Sequence, residues 1–531
     1  MTLAPPGSPA RTAAPARPRS VLILFVLPWL LLSLLGALWA LATPIGGSPD
    51  EPAHVVKAGS VVRGEFVPSS MIAQGGVLHV PAALAFEYQQ SCFAFLGDTA
   101  ATCAPEFAGD PGAIVETYSS ASLYDPVYYL LVGWPSLLSP DEAGIYGMRI
   151  VSALLCSFFV AACFWMIGSW PRRRLPALGV LIGLTPIAVY LLGTVNPNAL
   201  EFTGGLAIIT GMLGIVLHPD ERLLRSRLAL VVVASALVAN TRGISPLWVA
   251  LLLVVPLVLL KGRALLALLR RPAVIVSIAL IAASALFSAW WTLSTNTLGT
   301  APTTGPEVTP TAPGVGLTPV QGFFGLIGMF YPQLRQMVGI LGWLDTPLSP
   351  PVYYISYLLF ALLVVGTALW VRGRALVFVV IMALLFFFLP PLIQAAYVTR
   401  GGYIWQGRYT LVLLMALLVS MAACIAASDR FRRREEAAGS HRGLARLLRI
   451  LPWAVGALWT IGIVWSFATT LRRFSVGYSV DWAEMVEPGA WTPPVGVVPL
   501  VVLFALTAAA FAVSVVLAGR DRAPALTDER S

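Results

Sequence analysis

The chain has 531 residues, of which 58% are hydrophobic and only 11% are charged. Soluble globular domains are about a quarter charged, so this composition excludes a soluble globular protein and indicates an integral membrane protein. The net charge of +9 could suggest a nucleic-acid-binding protein, but the placement of the basic residues explains it without such a partner.

The chain opens with a basic, proline-containing segment, 1–20, and becomes almost wholly apolar over 21–42. That apolar run is too long for a secretory signal and lacks a small-residue cleavage site, so we predict a disordered cytoplasmic tail followed by a membrane-spanning helix. Similar runs recur to the end of the chain. We predict an all-α polytopic membrane domain over 21–518 and a second cytoplasmic tail over 519–531. The 12 predicted spans are 21–42, 145–168, 175–193, 199–217, 226–241, 244–260, 273–294, 352–371, 375–394, 408–427, 448–470 and 494–518.

Charge placement orients these spans. With both termini in the cytoplasm, 25 of the 34 Lys and Arg residues fall in or beside cytoplasmic segments, and 17 of the 25 acidic residues fall on the outer side. The basic asymmetry follows the positive-inside rule. We therefore expect a multi-pass protein of the bacterial plasma membrane, with a polar working surface that faces outward and with no nucleic-acid partner.

Three predicted outer segments, 43–144, 295–351 and 471–493, are too long to be simple connections. In the first, the apolar and aromatic stretch 124–138 is too short to span, so we expect an interfacial helix on the outer leaflet. In the second, 320–343 is a candidate for a stretch that dips back into the membrane. Ten residues separate Cys92 from Cys103, and outside the cytoplasm such a pair is expected to form a disulfide.

A polar run, 48–54, follows the first span directly and contains Asp50, Glu51 and His54. A carboxylate at this boundary could act as a general base on an acceptor hydroxyl, or could hold a divalent cation such as Mg or Mn. His54 would share a face with this pair if the segment starts a helix. The alternative is a solvent-facing turn that caps a helix, with a structural histidine.

Arginines near the outer ends of spans form a second group. The planar guanidinium suits a phosphate group, whereas the alternative for any single arginine is an interfacial anchor. The candidates are Arg149, Arg242, Arg400 and Arg408.

Two weaker signals lie elsewhere on the predicted outer side. Trp343 and Asp345 could stack on and hydrogen-bond a sugar, or could merely form a turn. Asn196, Asn198 and Glu201 make a polar cluster for which helix capping is the simpler interpretation.

No Walker or Rossmann glycine motif is evident, and neither is an HExxH or GxSxG sequence. Nucleotide-driven chemistry in the cytoplasm is therefore not expected. An enzyme working on the outer face needs an activated substrate that arrives with the membrane, and a sugar linked to polyprenyl phosphate has that form.

The runs 49–54, 342–346 and 406–409, in this order, resemble the bacterial membrane-protein family labelled domain of unknown function 2142. The resemblance covers about 20–470. That family is similar to the GT-C integral-membrane glycosyltransferases. Those enzymes place an acidic Asp or Asp-Glu motif in the first outer loop, follow it with interfacial helices, and use lipid-phosphate sugar donors.

By this resemblance Asp50 matches the catalytic acidic position, with Glu51 as its neighbour or alternative. Arg408 has no firm counterpart in the superfamily motif, so its role at the donor phosphate is inferred from its chemistry. Asn198 stands where an aspartate could follow 196–197, so catalysis is not assigned there. No soluble C-terminal domain of the kind found in some of these transferases is evident, which leaves acceptor binding to the outer loops.

The sequence thus predicts a membrane glycosyltransferase with a polyprenyl-phosphate sugar donor, a cell-envelope glycan or lipid acceptor, and membrane lipids as surroundings. The predicted site comprises a catalytic set (Asp50, Glu51, His54), donor-phosphate ligands (Arg408, Arg400, Arg149, Arg242) and substrate contacts (Gln406, Tyr409, Trp343, Asp345). A transporter or flippase of lipid-linked sugars or envelope polymer is the first alternative, although no internal repeat of the kind common in transporters is evident. A scaffold for envelope assembly is the second.

Overall fold

Helices make up nearly all of the regular structure in this computed structural model, which describes residues 22–72, 74–85, 91–297, 313–438 and 442–520. The predicted tail 1–20, and all of the predicted tail 519–531 except its first two residues, lie outside the described residues. So does part of the second predicted outer segment.

The first membrane helix, α1, is followed by a long segment of short elements that includes a three-stranded sheet. The strands pair antiparallel in the order β1-β2-β3, with His79 opposite Glu116. Sequence analysis did not predict this sheet. The helix predicted at 124–138 is present as α3 and α4, which leave Trp134 and Leu138 exposed. These elements are α1 (Leu22–Ala42), α2 (Glu51–Val61), β1 (Met71–Ile72), β2 (Gly75–Pro81), β3 (Ile114–Ser119), α3 (Val127–Gly133) and α4 (Pro135–Leu138).

The middle of the chain is wholly helical between its connections. Its elements are α5 (Glu142–Ile167), α6 (Arg174–Gly183), α7 (Pro186–Leu192), α8 (Pro197–Leu217), α9 (Glu221–Ala239), α10 (Ser245–Leu259), α11 (Gly262–Leu269) and α12 (Pro272–Ser294). Proline stands in the first turn of several of them, where its missing N–H is not needed and its fixed φ suits the helix.

The last part begins with two ten-residue helices and a small hairpin over the region predicted to dip into the membrane. The elements are α13 (Pro319–Gly328), α14 (Phe330–Gly339), β4 (Ile340–Leu341), β5 (Thr346–Pro347), α15 (Pro350–Trp370), α16 (Gly373–Gly401), α17 (Gly407–Ala427), α18 (Asp429–Ala438), α19 (Arg442–Ser475) and α20 (Val497–Ala518). That 320–343 enters the membrane stays a prediction.

Nine helices in the described part of the chain are long and apolar enough to cross a membrane, or ten if the bent pair α6–α7 is one span. They are α1, α5, α8, α12, α15, α16, α17, α19 and α20. This confirms an all-α polytopic membrane protein. The remaining two of the 12 predicted spans coincide with α9 and with the shorter apolar helix α10.

The bend between α6 and α7 measures 75°. It follows from Pro186, which disfavours a helical conformation at Thr185 and lacks the N–H that would continue the helix. A side chain of α19 supplies a donor to the carbonyl at the break, and the Thr185 hydroxyl bonds to α14. Trp459 Nε1 donates to the Leu184 carbonyl at 2.8 Å, and the Thr185 hydroxyl donates to the Met337 carbonyl at 2.8 Å.

Helices α8 and α17 form the centre of the bundle, because 94% of the most apolar window of each is buried. The same measure is only 17% for α12, which therefore lies at the periphery with an apolar surface free to face lipid. The described parts of the segments 43–141, 313–349 and 476–496 meet at one end of the bundle, which we call the loop end. Trp343 Nε1 joins two of these segments by donating to the Gly46 carbonyl at 2.8 Å, and the Tyr478 N–H donates to the Gly97 carbonyl at 2.9 Å.

A single arginine at the end of α19 organises much of the loop end. Arg473 is fully buried and its guanidinium donates to the carbonyls of Phe93, Leu96 and Thr99, and to the Asp345 carboxylate at 2.6 Å. The three carbonyls lie in the loop that the disulfide between the two loop cysteines, 92 and 103, closes. Arg473 therefore ties the disulfide loop to the β4–β5 hairpin.

We expect Arg473→Gln to lower the apparent Tm of the purified protein strongly, because removing one partner of a buried ion pair costs about 3–5 kcal/mol. Arg472→Gln is the matched control, since Arg472 is only partly buried and donates to one carbonyl, that of Tyr478. Limited proteolysis should cut the segment 91–104 faster in the Arg473 variant alone. Equal Tm values for the two variants would contradict this account of the loop end.

Candidate active site

Asp50 lies at the N-terminus of α2 in the left-handed conformation, with φ of 61°. Few non-glycine residues adopt this conformation, although aspartate does so more readily than most, and such positions often mark functional sites. The surrounding loop is fixed from outside. The Tyr190 hydroxyl lies 3.1 Å from the Gly47 carbonyl and from Ser48 Oγ, and Asn196 Nδ2 donates to the Pro49 carbonyl at 3.2 Å.

The Asp50 carboxylate is 43% exposed and forms an ion pair with the almost fully buried Arg408 in the first turn of α17. Arg408 Nη2 also donates to the Tyr409 hydroxyl at 3.3 Å. Its Nε is buried and has no hydrogen-bond partner among the described residues, and the same is true of the neighbouring Gln406 Oε1. Unpartnered polar atoms in a buried position call for a ligand or water.

Arg242 brings a second positive charge to the same place. Its guanidinium carbon lies 4.3 Å from the centre of the Tyr409 ring, and that of Arg408 lies 5.2 Å from it. Arg242 donates to Asn198 Oδ1 at 2.8 Å and lies 3.6 Å from the Glu201 carboxylate. Each arginine therefore has one carboxylate partner, but only the partner of Arg408 is substantially exposed.

The polar residues at the start of α8 divide between two roles. Asn196 caps the helix by accepting a hydrogen bond from the Asn198 N–H, so the capping interpretation is confirmed for it. Asn198 and Glu201, by contrast, join the cluster through Arg242. We refer to Asp50, His54, Asn198, Glu201, Arg242, Arg408 and Tyr409 as the Asp50 cluster.

His54 lies one helical turn beyond Asp50 and is 4% exposed. Its Nδ1 and the Tyr129 hydroxyl are 2.8 Å apart. Burial, with further contributions from Arg408 and Arg242, lowers the pKa of His54 to about 3 in spite of the nearby Asp50. The imidazole is therefore neutral at pH 7, which suits a positioning group better than a cation that would hold a phosphate.

Glu51, expected in the catalytic set, and Arg149, expected at the donor phosphate, are both enclosed and hold the fold together. Both side chains are fully buried and form a two-point ion pair with distances of 2.8 and 2.5 Å. Arg149 also donates to the carbonyls of Ala40, Thr43 and Pro44. These bonds use all five of its N–H groups, so none is left for a phosphate.

Asp50 and Glu51, the two carboxylates considered for a divalent cation, do not face the same space. The Glu51 carboxylate is enclosed with Arg149 while the Asp50 carboxylate meets Arg408. Within the described ranges, no group of three or more His, Cys, Asp or Glu side chains is arranged to hold a metal ion.

Three further predicted contacts lie apart from the Asp50 carboxylate. Asp345 is enclosed with Arg473, so its role is to hold the loop end together. Trp343 donates to the Gly46 carbonyl and packs against Phe95, so it supports the loop before Asp50. Arg400 is exposed near the end of α16, and the structure shows no hydrogen bond or ion pair between it and the described members of the Asp50 cluster.

A small apolar cavity of about 20 Å³ opens between α13, α14, α16 and the turn that precedes α17. Trp405 and Thr410 line it, and both are within three residues of Arg408. Gln333 also lines the cavity, and its buried Oε1 has no hydrogen-bond partner among the described residues. The cavity is lined in addition by Leu326, Phe330, Met337, Phe386, Phe387 and Pro391.

Sequence analysis did not identify two further titratable residues in this region, Lys57 and Asp125. Lys57 is fully buried and donates to the Phe66 and Ser122 carbonyls, and burial lowers its pKa to about 8. Burial raises the pKa of Asp125 to about 7. The run 124–129, Tyr-Asp-Pro-Val-Tyr-Tyr, could have indicated Asp125. It places this carboxylate between Tyr124 and Tyr129, which both pack against His54.

We expect Glu51→Gln to lower the apparent Tm much more than Asp50→Asn, although the two carboxylates are adjacent. The first change leaves Arg149 without its counter-charge in a dry interior, at a cost of about 3–5 kcal/mol. In the second, the affected carboxylate is half-exposed and asparagine keeps an oxygen acceptor for Arg408. Thermal unfolding of both variants in one detergent checks this, and a larger loss for Asp50→Asn would contradict the greater structural weight given to the Glu51–Arg149 pair.

The depressed pKa of His54 predicts a loss of stability in acid. Between about pH 6.5 and pH 3 the unfolded chain binds a proton at His54 and the folded chain does not, so stability falls as the pH drops, at a limit of about 1.4 kcal/mol per pH unit. His54→Gln retains a hydrogen-bonding group for Tyr129 and removes this dependence. The measurement is apparent Tm against pH for both proteins. A wild-type minus variant difference that stays constant from pH 7 to pH 4 would refute the buried neutral histidine.

Comparison with known proteins supports the membrane assignment and leaves the activity open. A family model described as "Predicted membrane protein (DUF2142)" matches residues 32–417, a range that includes every member of the Asp50 cluster. No curated protein and no solved structure matches the chain. Since the match covers well over half of the 531 residues, the chain belongs to the DUF2142 family of predicted membrane proteins.

Proposed function

We propose that the protein is a membrane glycosyltransferase and that the Asp50 cluster is its active site. One observation carries the proposal. A half-exposed carboxylate, fixed in a left-handed conformation at a helix N-terminus, is paired with a buried arginine whose Nε is unpartnered among the described residues. The carboxylate can accept a proton, and the arginine can stabilise a phosphate that leaves.

The proposed reaction is the transfer of a sugar from polyprenyl phosphate to an acceptor hydroxyl. The hydroxyl oxygen forms a bond to the anomeric carbon while the bond from that carbon to the phosphate oxygen breaks. The hydroxyl proton goes to the Asp50 carboxylate and the bonding pair goes to the phosphate oxygen. The phosphate gains one negative charge in this step, so nearby positive charge lowers the barrier.

Arg408 and Arg242 are the groups placed to meet that charge. Arg408 keeps an unpartnered Nε beside its bond to Asp50, and Arg242 lies near the same tyrosine ring, that of Tyr409. The carboxylates of Asp50 and Glu201 balance the two arginines before substrate binds. A donor phosphate would then add negative charge that Arg408 can meet through its unpartnered Nε.

The apolar cavity supports a lipid-linked donor. Its lining is almost entirely hydrophobic, and it adjoins the segment that carries Arg408. A polyprenyl tail lying along this apolar surface would bring its phosphate towards the arginines. By the positive-inside rule the loop end faces outward, so the acceptor we propose is an envelope glycan or lipid.

We expect Asp50→Asn to reduce transfer by about 10²-fold or more, the contribution typical of a general base. The assay is the envelope glycan composition of a deletion strain complemented with wild type, Asp50→Asn or Glu106→Gln at equal protein abundance. Glu106 is an exposed carboxylate in the same loop, and its variant should restore the glycan fully.

Full restoration by Asp50→Asn would remove Asp50 from the chemistry. A transporter or flippase would be indicated if vesicles containing the protein moved a lipid-linked sugar across the bilayer without any acceptor. A transferase should give no such net transport.

A further inference from the structure

A short amphipathic helix, α11, lies at the end of the bundle opposite to Asp50. Helix α10 runs from Ser245, which contacts Glu201 of the Asp50 cluster, to Leu259, and α12 then returns from Pro272. Because α10 and α12 are both apolar, α11 lies where the chain leaves and re-enters the membrane layer. It has no buried residue.

The polar part of this helix and its flanks is strongly basic. The stretch 261–271 contains no acidic residue, and its basic residues are Lys261, Arg263, Arg270 and Arg271. Arg271 is bound through both Nη atoms to the Glu221 carboxylate. The other three basic side chains are exposed, and no described residue forms an ion pair with them.

The two carboxylates near this helix are already engaged. Glu221 is held by Arg271, and Asp220 caps α9 by accepting a hydrogen bond from the Arg222 N–H at 2.8 Å. Neither carboxylate forms an ion pair with Lys261, Arg263 or Arg270 in the described structure.

A cavity of about 230 Å³ lies between α11 and the adjoining ends of α8 and α9, with Asp220, Glu221 and Arg271 at its border. Its apolar lining includes Val216, Leu224, Leu260, Ala264, Ala267 and Leu268. Arg227 also borders it and is 2% exposed; its Nε has no hydrogen-bond partner among the described residues. The same short helix thus has an apolar cavity on one side and unneutralised basic side chains along its length.

We propose that α11 and this cavity bind an anionic glycerophospholipid, with an acyl chain in the cavity and the phosphate headgroup held by Arg263 and Arg270. A membrane lipid matches both features, because it offers an apolar chain and an anionic group at the depth where two membrane helices end. Basic amphipathic helices and basic pockets between membrane helices recognise anionic lipids in this way. The site is independent of the Asp50 cluster and of the activity proposed for it.

The test is a lipid titration of the full-length protein in detergent, followed by apparent Tm from tryptophan fluorescence. A ligand that binds only the folded protein raises its stability in proportion to its occupancy. We expect dioleoylphosphatidylglycerol to bind more tightly than dioleoylphosphatidylcholine. The double variant Arg263→Gln/Arg270→Gln should weaken phosphatidylglycerol binding roughly 25-fold, at about fivefold for each arginine, and leave phosphatidylcholine binding unchanged.

Two further variants separate the site from general effects. Arg433→Gln/Arg434→Gln removes the same charge from exposed positions on α18 and should leave both titrations unchanged. Ala267→Trp fills the cavity without altering charge and should weaken the binding of both lipids.

Three results would overturn the proposal. Equal stabilisation by the two lipids would show that the site does not select the headgroup. An equal weakening of phosphatidylglycerol binding in the α18 double variant would show that the effect depends on overall charge and not on α11. A Tm rise with glycerol 1-phosphate as large as that with phosphatidylglycerol would indicate a free phosphate site instead of a lipid site.

Discussion

The buried ion pair between Glu51 and Arg149 is the interaction on which the loop end depends. Arg149 projects from α5 and takes the last carbonyls of α1 as acceptors, while the Glu51 carboxylate also accepts the Val195 N–H at 3.0 Å. One contact therefore fixes the end of α1, the start of α2 and the approach to α8. Burying two charges is costly unless every donor and acceptor is satisfied, and here the five N–H groups of Arg149 all have partners.

The ion pair between Glu51 and Arg149 also determines where Asp50 lies. Since Glu51 cannot move without breaking the ion pair, its neighbour is held at the surface of the same helix terminus, and the left-handed backbone at Asp50 turns the chain between them. The two carboxylates have the same chemistry and opposite environments. Glu51 is fully enclosed, whereas the Asp50 carboxylate is 43% exposed and pairs with Arg408.

The sequence predicted the membrane class, the helical positions and the run that contains Asp50, because each depends on local composition or on spacing along the chain. It could not separate the roles of Asp50 and Glu51, since that distinction depends on Arg149, 98 residues further on. Asp345 was assigned to substrate for the same reason, because its partner Arg473 lies 128 residues away. The sheet β1-β2-β3 was missed because its strands are short and lie in a segment that composition marks only as a long loop.

The arginines at the two ends of the bundle differ in burial and in pairing. At the loop end, Arg149 and Arg473 are enclosed and committed to the fold, whereas the Asp50 carboxylate, paired with Arg408, remains partly exposed. At the opposite end, Arg263 and Arg270 have no carboxylate partner among the described residues and lie beside an apolar cavity. Burial converts an arginine into a structural element, and exposure at a membrane boundary leaves it free to bind an anion. The positive-inside rule concerns only orientation, but here the basic residues that it explains also supply a surface suited to anionic lipid.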